Sequence, residues 1–328
     1  MKIAVFSVNL SFFGDVQSTL INRGHEVRVW QPSAGLEGSQ TAELLSWCDI
    51  VFFEFCQTPL GELLGLVPKG KKVVARLHRL EIYNNLTKAK EFDWSRVDML
   101  IASAPHVLDR FVNTRQGMSV PKKFVVSLTN NVDVTTFKYA ERVWEPPYKI
   151  LMCGNFVPKK RQYTLIQMFQ DVRTKLGDNF TLDILGARGM WTGYGNVEYY
   201  ENCLDLIDDL GLDERVRIYD KVDHKEVANF MGSEHFIVSN SNEEGTHVSI
   251  AEGGCTGCIP LVNSWRGAGE VYPDAHLFKT PLEFVEKIEK ITQMDMAAES
   301  ARIAELFKEK YGNPEKMDAL VTLLEGLV

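Results

Sequence analysis

Residues 235–263 read HFIVSNSNEEGTHVSIAEGGCTGCIPLVN. The opening run, His235–Ser239, is mostly apolar and short enough for a buried strand. A polar loop follows, helical spacing covers Val248–Thr256, and Ile259–Asn263 reads as a second strand. Two strands joined through a helix form a parallel βαβ unit, because a parallel pair needs a crossover connection. Cys255-Thr-Gly-Cys258 and Pro260 fall where the helix is expected to turn into that strand. A lone cysteine pair at this spacing, without a second pair, is poor ground for a zinc or redox site.

Working outward, the same alternation fills the chain. Strands are expected at 2–8, Glu26–Trp30, Asp49–Glu54, Lys72–Leu77, Met99–Ala102 and Phe124–Ser127, then at Ile150–Cys153, Phe180–Leu185 and Val216–Tyr219. Helical patterns fall at 15–23, Leu165–Leu176, Val197–Leu210, His224–Met231 and Met317–Leu327. The strand runs are continuously apolar, as befits a parallel sheet covered on both faces. Pro146 and Pro147 break the pattern within Trp144–Lys149, a natural linker. The expected class is α/β, with two Rossmann-like, doubly wound domains at 1–145 and 146–310. A terminal helix over 311–328 is then free to pack back on the N-terminal domain. Ligands of such sheets gather beyond the carboxyl ends of the strands, here in a crevice expected between the two domains.

The chain has 328 residues, with 44 acidic and 36 basic side chains and a net charge of -8. That balance speaks against nucleic acid or a general affinity for anionic membranes, while leaving room for a local basic patch. Six scattered cysteines suit reduced, buried thiols in a cytoplasmic protein. No apolar run is long enough to span a membrane, and the first residues read as a strand rather than a secretory leader. Peripheral contact with the inner membrane surface stays open.

Three loops after strands carry candidate chemistry. In the first, Glu243 and Glu244 precede Gly245, which lets backbone approach a ligand, and Thr246, His247, Val248 and Ser249 open a helix whose N–H groups suit a phosphate. Glu252, one turn on, is placed to accept from vicinal hydroxyls. Read alone, the segment is equally an ordinary acidic helix start. In the second, Gly154 and Asn155 lead to Lys159, Lys160 and Arg161, a cationic cluster that suits an anion or a solvated turn. In the third, His78 follows a strand as a proton or hydrogen-bond donor, or as a structural histidine. Gly14, in the loop after the first strand, is a weaker phosphate or acceptor signal. There is no three-glycine dinucleotide fingerprint, Walker motif or kinase signature.

These segments resemble the retaining GT-B glycosyltransferases that use nucleotide-diphosphate sugars, the group 1 glycosyl transferases. The resemblance rests on Glu244 and Glu252 with seven residues between, on Gly257-Cys-Ile-Pro260, on Gly154 to Lys160, and on Asn130, Asn131, Val132, Asp133 and Phe137. It implies that Glu244 meets the donor sugar's hydroxyls, Glu252 the ribose, Lys160 the departing diphosphate, and His78 the transferred sugar. Backbone around His247–Ser249 would hold phosphate. It further implies a UDP- or GDP-sugar donor, a hydroxyl acceptor (glycan, lipid or small molecule) and no metal. The acceptor is expected near residues 9–15, 54–60 and 78–85.

Two departures from the family pattern stand out. Asn155 replaces the usual arginine, and Thr246-His247 the usual aromatic-glycine pair. A nucleotide-sugar epimerase or a phosphorylase on the same scaffold would share these motifs, as would a non-catalytic GT-B-like binding subunit.

Overall fold

A computed structural model of the chain describes residues 1–10, 12–83, 91–114, 119–126, 132–188, 196–312 and 314–328. The chain divides into two compact units, Met1–Asn131 with Asn313–Val328, and Val132–Gly312. Each is built on one six-stranded parallel sheet, so each is a Rossmann-like α/β domain.

In the first unit the strands are β1 (Lys2–Phe6), β2 (Glu26–Val29), β3 (Ile50–Glu54), β4 (Lys72–Leu77), β5 (Met99–Ala102) and β6 (Phe124–Val126), in the order β2-β1-β3-β4-β5-β6. Side chains alternate across a strand, so a sheet covered on both sides needs apolar residues at every position. Ala4, Phe6, Val51 and Phe53 face one layer, packed with Leu44, Leu60, Trp94 and Phe111. Ile3, Val5, Ile50 and Phe52 face the other, where Phe13, Val16 and Leu20 meet Met317, Leu320, Val321 and Leu324 of the C-terminal helix Glu315–Glu325. Arg23 and His25 each pair with Glu325 on that helix, at 2.5 and 2.8 Å.

In the second unit the strands are β7 (Tyr148–Cys153), β8 (Phe180–Leu185), β9 (Val216–Tyr219), β10 (Phe236–Ser239), β11 (Ile259–Asn263) and β12 (Leu277–Phe278). Their order is β12-β11-β10-β7-β8-β9. Chain connections leave β7 and β10 in opposite directions, so the loops following these two neighbouring strands part at a topological switch point, where such sheets bind ligands. The equivalent point in the first unit lies between β1 and β3.

The helix Val248–Thr256 packs closely because it carries two glycines on its buried side. A Cβ at Gly253 would lie 2.9 Å from Ile237 Cδ1, and one at Gly254 would run into the ring of Phe307. Gly257, at φ +93°, ends the helix in the left-handed region, and the Cys258 N–H closes it onto the Gly253 carbonyl at 2.8 Å. Pro260 then lies within β11, paired with Ile237, inside the strand expected over Ile259–Asn263. This left-handed ending reverses the chain within two residues, so the strand starts at Ile259. All six cysteines are buried, and burial pushes Cys255 and Cys203 up to about 12. No helix among the described residues is long and apolar enough to cross a membrane.

Candidate active site

In the second unit the loops after β7 and β10 bring Lys160 and Glu244 together. The Lys160 ammonium donates to Glu244 Oε1 at 2.5 Å and to His247 Nε2 at 3.0 Å. Both carboxylate and imidazole are buried. Burial alone would raise the Glu244 carboxyl, but the adjacent ammonium outweighs it and holds the group well below the usual carboxylate range. Burial, reinforced by the same ammonium, pushes His247 down to about 3. The ring is therefore neutral. Because Nε2 accepts from lysine, the proton sits on Nδ1, which donates to Ser239 Oγ at 2.7 Å.

Backbone geometry explains why Lys160 points inward. Residues Pro158–Lys160 form a 3-10 turn, and Arg161 adopts the left-handed region at φ 59° before the helix Gln162–Leu176. The Arg161 carbonyl accepts from Asn240 Nδ2 at 3.1 Å, and the Lys159 carbonyl from the Asn242 N–H at 2.9 Å, which laces the two loops together. Gly154 lies under the Lys160 chain, 3.5 Å from its Cδ and Cε as measured from an ideal Cβ. At Gly186, after β8, a Cβ would run into the Gly154 carbonyl oxygen, so only glycine lets the two segments approach. Asn155 accepts from the Ala187 N–H at 3.3 Å and so ties the loop to that same segment.

The helix that follows Glu244 starts at Val248 with no side-chain cap. Its flanking N–H, on His247, donates to the Tyr272 hydroxyl at 3.2 Å. Ser249 Oγ donates to the Cys153 carbonyl at 3.3 Å. Glu252 is buried in that helix, and its Oε1 meets His224 Nε2 at 2.6 Å. The hydrogen bond that His224 donates to the Glu252 carboxylate raises the His224 pKa. Among the described residues no group of three or more histidine, cysteine, aspartate or glutamate side chains is placed to hold a metal.

The sequence pattern of the family described as glycosyl transferases group 1 matches residues 134–306, more than half of the chain. The chain is a group 1 glycosyltransferase. No curated protein sequence matches it. Among solved structures it is similar to HepE of Anabaena in complex with UDP and glucose, at 15% identity and a TM-score of 0.74, with 100% of each chain covered. It is also similar to sucrose-phosphate synthase from Thermosynechococcus elongatus, at 13% identity and 0.76, covering 100% of this chain and 99% of that one. A glycosyltransferase from Rickettsia africae gives 16% and 0.73, covering 99% and 97%. At such identities the likeness is one of fold, the GT-B architecture of two Rossmann-like domains.

In this group 1 glycosyltransferase the residues expected from sequence fall into separate groups. Gly154, Asn155, Lys159, Lys160, Arg161, Gly245, Thr246, His247, Val248 and Ser249 all lie in or beside the two loops at the second switch point, with Glu244 among them. Glu252 lies one turn further along the same helix. Gly14 is set apart as the exposed first residue of the helix Gly14–Asn22, with open space around its would-be Cβ. Asn130 and Asn131 lie outside the described residues. Val132 and Phe137 are in the core of the second unit, and Asp133 accepts from the Thr135 and Thr136 hydroxyls at 2.6 and 2.7 Å.

His78 belongs to the first unit, at the carboxyl end of β4. Its Nε2 meets Glu54 Oε1 at 2.8 Å, and its N–H donates to Glu81 Oε2 at 2.8 Å. Burial lowers the His78 pKa and raises that of Glu81 to about 8. The sequence alone assigns no individual role to Glu54, Arg76, His224, Ser239 or Tyr272, although residue 54 opens one of the stretches expected to meet the acceptor. A signal existed for two of them. Glu54 closes the strand Ile-Val-Phe-Phe-Glu and Arg76 interrupts Lys-Val-Val-Ala-Arg-Leu, and charges in such buried strands require partners.

Proposed function

We propose that the chain transfers a sugar from a UDP- or GDP-sugar to a hydroxyl acceptor, with retention at the anomeric carbon and without a metal. The observation that carries this reading is the buried contact of Lys160 with Glu244 and neutral His247 at the switch point of the second sheet. HepE, similar in fold, is known in complex with UDP and glucose. Lys160 has three N–H donors, and the imidazole engages one of them without cancelling its charge. The ammonium meets the diphosphate as negative charge grows on it, when electrostatic stabilisation counts most. Glu244 orients the sugar through its hydroxyls and Glu252 holds the ribose. The uncapped N–H groups at Val248 and Ser249 receive phosphate oxygens.

In the chemical step the bond from the anomeric carbon to the diphosphate breaks. The acceptor oxygen bonds to that carbon from the same face, and the departing phosphate takes the acceptor's proton. The acceptor lies against the first unit, near residues 9–15, 54–60 and 78–85, of which 11, 84 and 85 fall outside the described residues. Six buried, unpaired cysteines support a cytoplasmic setting, with the acceptor drawn from solution or from the inner membrane surface. Incubation with UDP-, GDP-, ADP- and dTDP-sugars, read as nucleotide release and binding, tests the proposal. Release from one nucleotide class is the expected result. Neither binding nor release with any of them refutes it.

A further inference from the structure

Around His78 the first unit holds an arrangement that goes beyond a histidine at a strand end. Glu54 is fully buried, and one of its oxygens, Oε1, takes three hydrogen bonds: from Arg76 Nε at 3.0 Å, from Arg76 Nη2 at 2.7 Å and from His78 Nε2 at 2.8 Å. Its other oxygen, Oε2, is buried with no hydrogen-bond partner among the described residues. The same Arg76 nitrogen also donates to the Phe12 carbonyl, which anchors the guanidinium to the loop after β1. Two aromatic rings stack on the imidazole, Phe55 with centroids 4.1 Å apart and Phe12 at 5.4 Å, at 23° and 28° between planes. Phe55 adopts φ 69°, a left-handed conformation that costs a bulky side chain energy and persists only where its surroundings hold it. Phe12, Glu54 and Phe55 come from the loops and strand ends at the first unit's switch point.

A carboxylate beside a guanidinium stays ionised and accepts only, so His78 Nε2 must be the donor. Burial disfavours the imidazolium, leaving Nδ1 without a proton. The stacked rings stop the imidazole from turning to present another edge. We propose that Glu54, oriented by Arg76, is a positioning residue that fixes His78 as the Nε2–H tautomer, so that Nδ1 accepts a hydrogen bond from a carbohydrate hydroxyl during transfer. The inference rests on the proposed sugar transfer for its ligand, but its tautomer is a property of the free protein.

The first test is therefore nitrogen NMR of protein labelled in its histidine rings, with the His78 signals assigned by their loss in His78→Asn. A protonated Nε2 and bare Nδ1 are expected in the wild type, with a shift toward the other tautomer or a mixture in Glu54→Gln. A protonated Nδ1 in the wild type overturns the proposal, whatever the activity. The second test compares two replacements. An asparagine amide reaches the Nδ1 position and a glutamine amide the Nε2 position. His78→Asn is expected to keep transfer within about tenfold of wild type, and His78→Gln to lose about 100-fold, the scale of one positioned catalytic group. Equal losses, or the reverse order, overturn the role of Nδ1. Donor hydrolysis without acceptor locates the hydroxyl. If His78→Gln slows hydrolysis as much as transfer, it belongs to the donor sugar, and if only transfer suffers, to the acceptor. Should Glu54→Gln fail to fold, the wild-type spectrum and the His78 pair still decide the matter. Absence of transfer from any donor refutes the proposed function and leaves the tautomer result standing.

Discussion

Replacing Lys160 by methionine keeps most of the side-chain volume and removes the charge. Side chains of Lys160 and Glu244 are only 14% and 10% exposed, so solvent cannot take over the ammonium's role. Removing one member of a buried ion pair costs about 3–5 kcal/mol, because the remaining charge is left uncompensated. Glu244 escapes part of that cost by taking up a proton. In the wild type its folded pKa is depressed, so its contribution is fully present above the unfolded value, about 4.3, and is lost as pH falls through the folded pKa. In Lys160→Met burial dominates and the folded pKa rises above the unfolded one. That variant then loses stability as pH rises. The gap between the two proteins in urea unfolding should be small near pH 4 and widen toward pH 7, to about 3 kcal/mol. Lys160→Met/Glu244→Gln should regain most of the loss, since no buried charge remains. Turnover should fall about 100- to 1000-fold in both variants, the scale of a lost charge-stabilising donor. A pH-independent gap under about 1 kcal/mol, or a double variant as unstable as the single, would falsify the buried-pair argument. Near-normal turnover would remove Lys160 from the donor site.

Further predictions concern its surroundings. Gly186→Ala forces a methyl group onto the Gly154 carbonyl and should cost about 1–3 kcal/mol or more in denaturant melts, with weaker nucleotide binding; an unchanged midpoint would mean the loops do not meet as described. His247 is held down at about 3 against 6.5 when unfolded, so between these values the unfolded chain binds more protons and acid destabilises the fold. His247→Gln should flatten the stability–pH curve in that window, and an unaltered slope would place the ring in contact with water. His224→Ala leaves Glu252 without the partner that orients it, so KM for the nucleotide-sugar should rise about two- to tenfold, the worth of one charge-assisted hydrogen bond, with kcat unchanged. A fall in kcat alone would argue against a binding role for Glu252.

Much of the fold follows from local sequence. Lys72–Leu77, Phe180–Leu185 and Ile259–Asn263 are strands with the bounds their apolar runs imply, since a strand covered on both faces leaves a continuous signal. Helices such as Ser39–Trp47, Pro105–Thr114 and Pro281–Thr292 went unread, because one buried stripe among polar residues is a weaker mark than an unbroken run.

For the site, sequence alone determined that Lys160, Glu244 and His78 follow strands, that Glu252 sits in the helix after such a loop, and that Glu54 and Arg76 are charges within apolar strands. These placements depend only on where apolar runs stop. Tertiary structure decided which of them touch. Lys160 and Glu244 are 84 residues apart and meet because β7 and β10 are neighbours in the sheet. Likewise, β3 beside β4 puts Glu54 against Arg76 and His78. Proton positions on His247 and His78 were decided later still, by burial and by the charge packed against each ring. No spacing along a chain encodes them, because they depend on distances through space and on the absence of water.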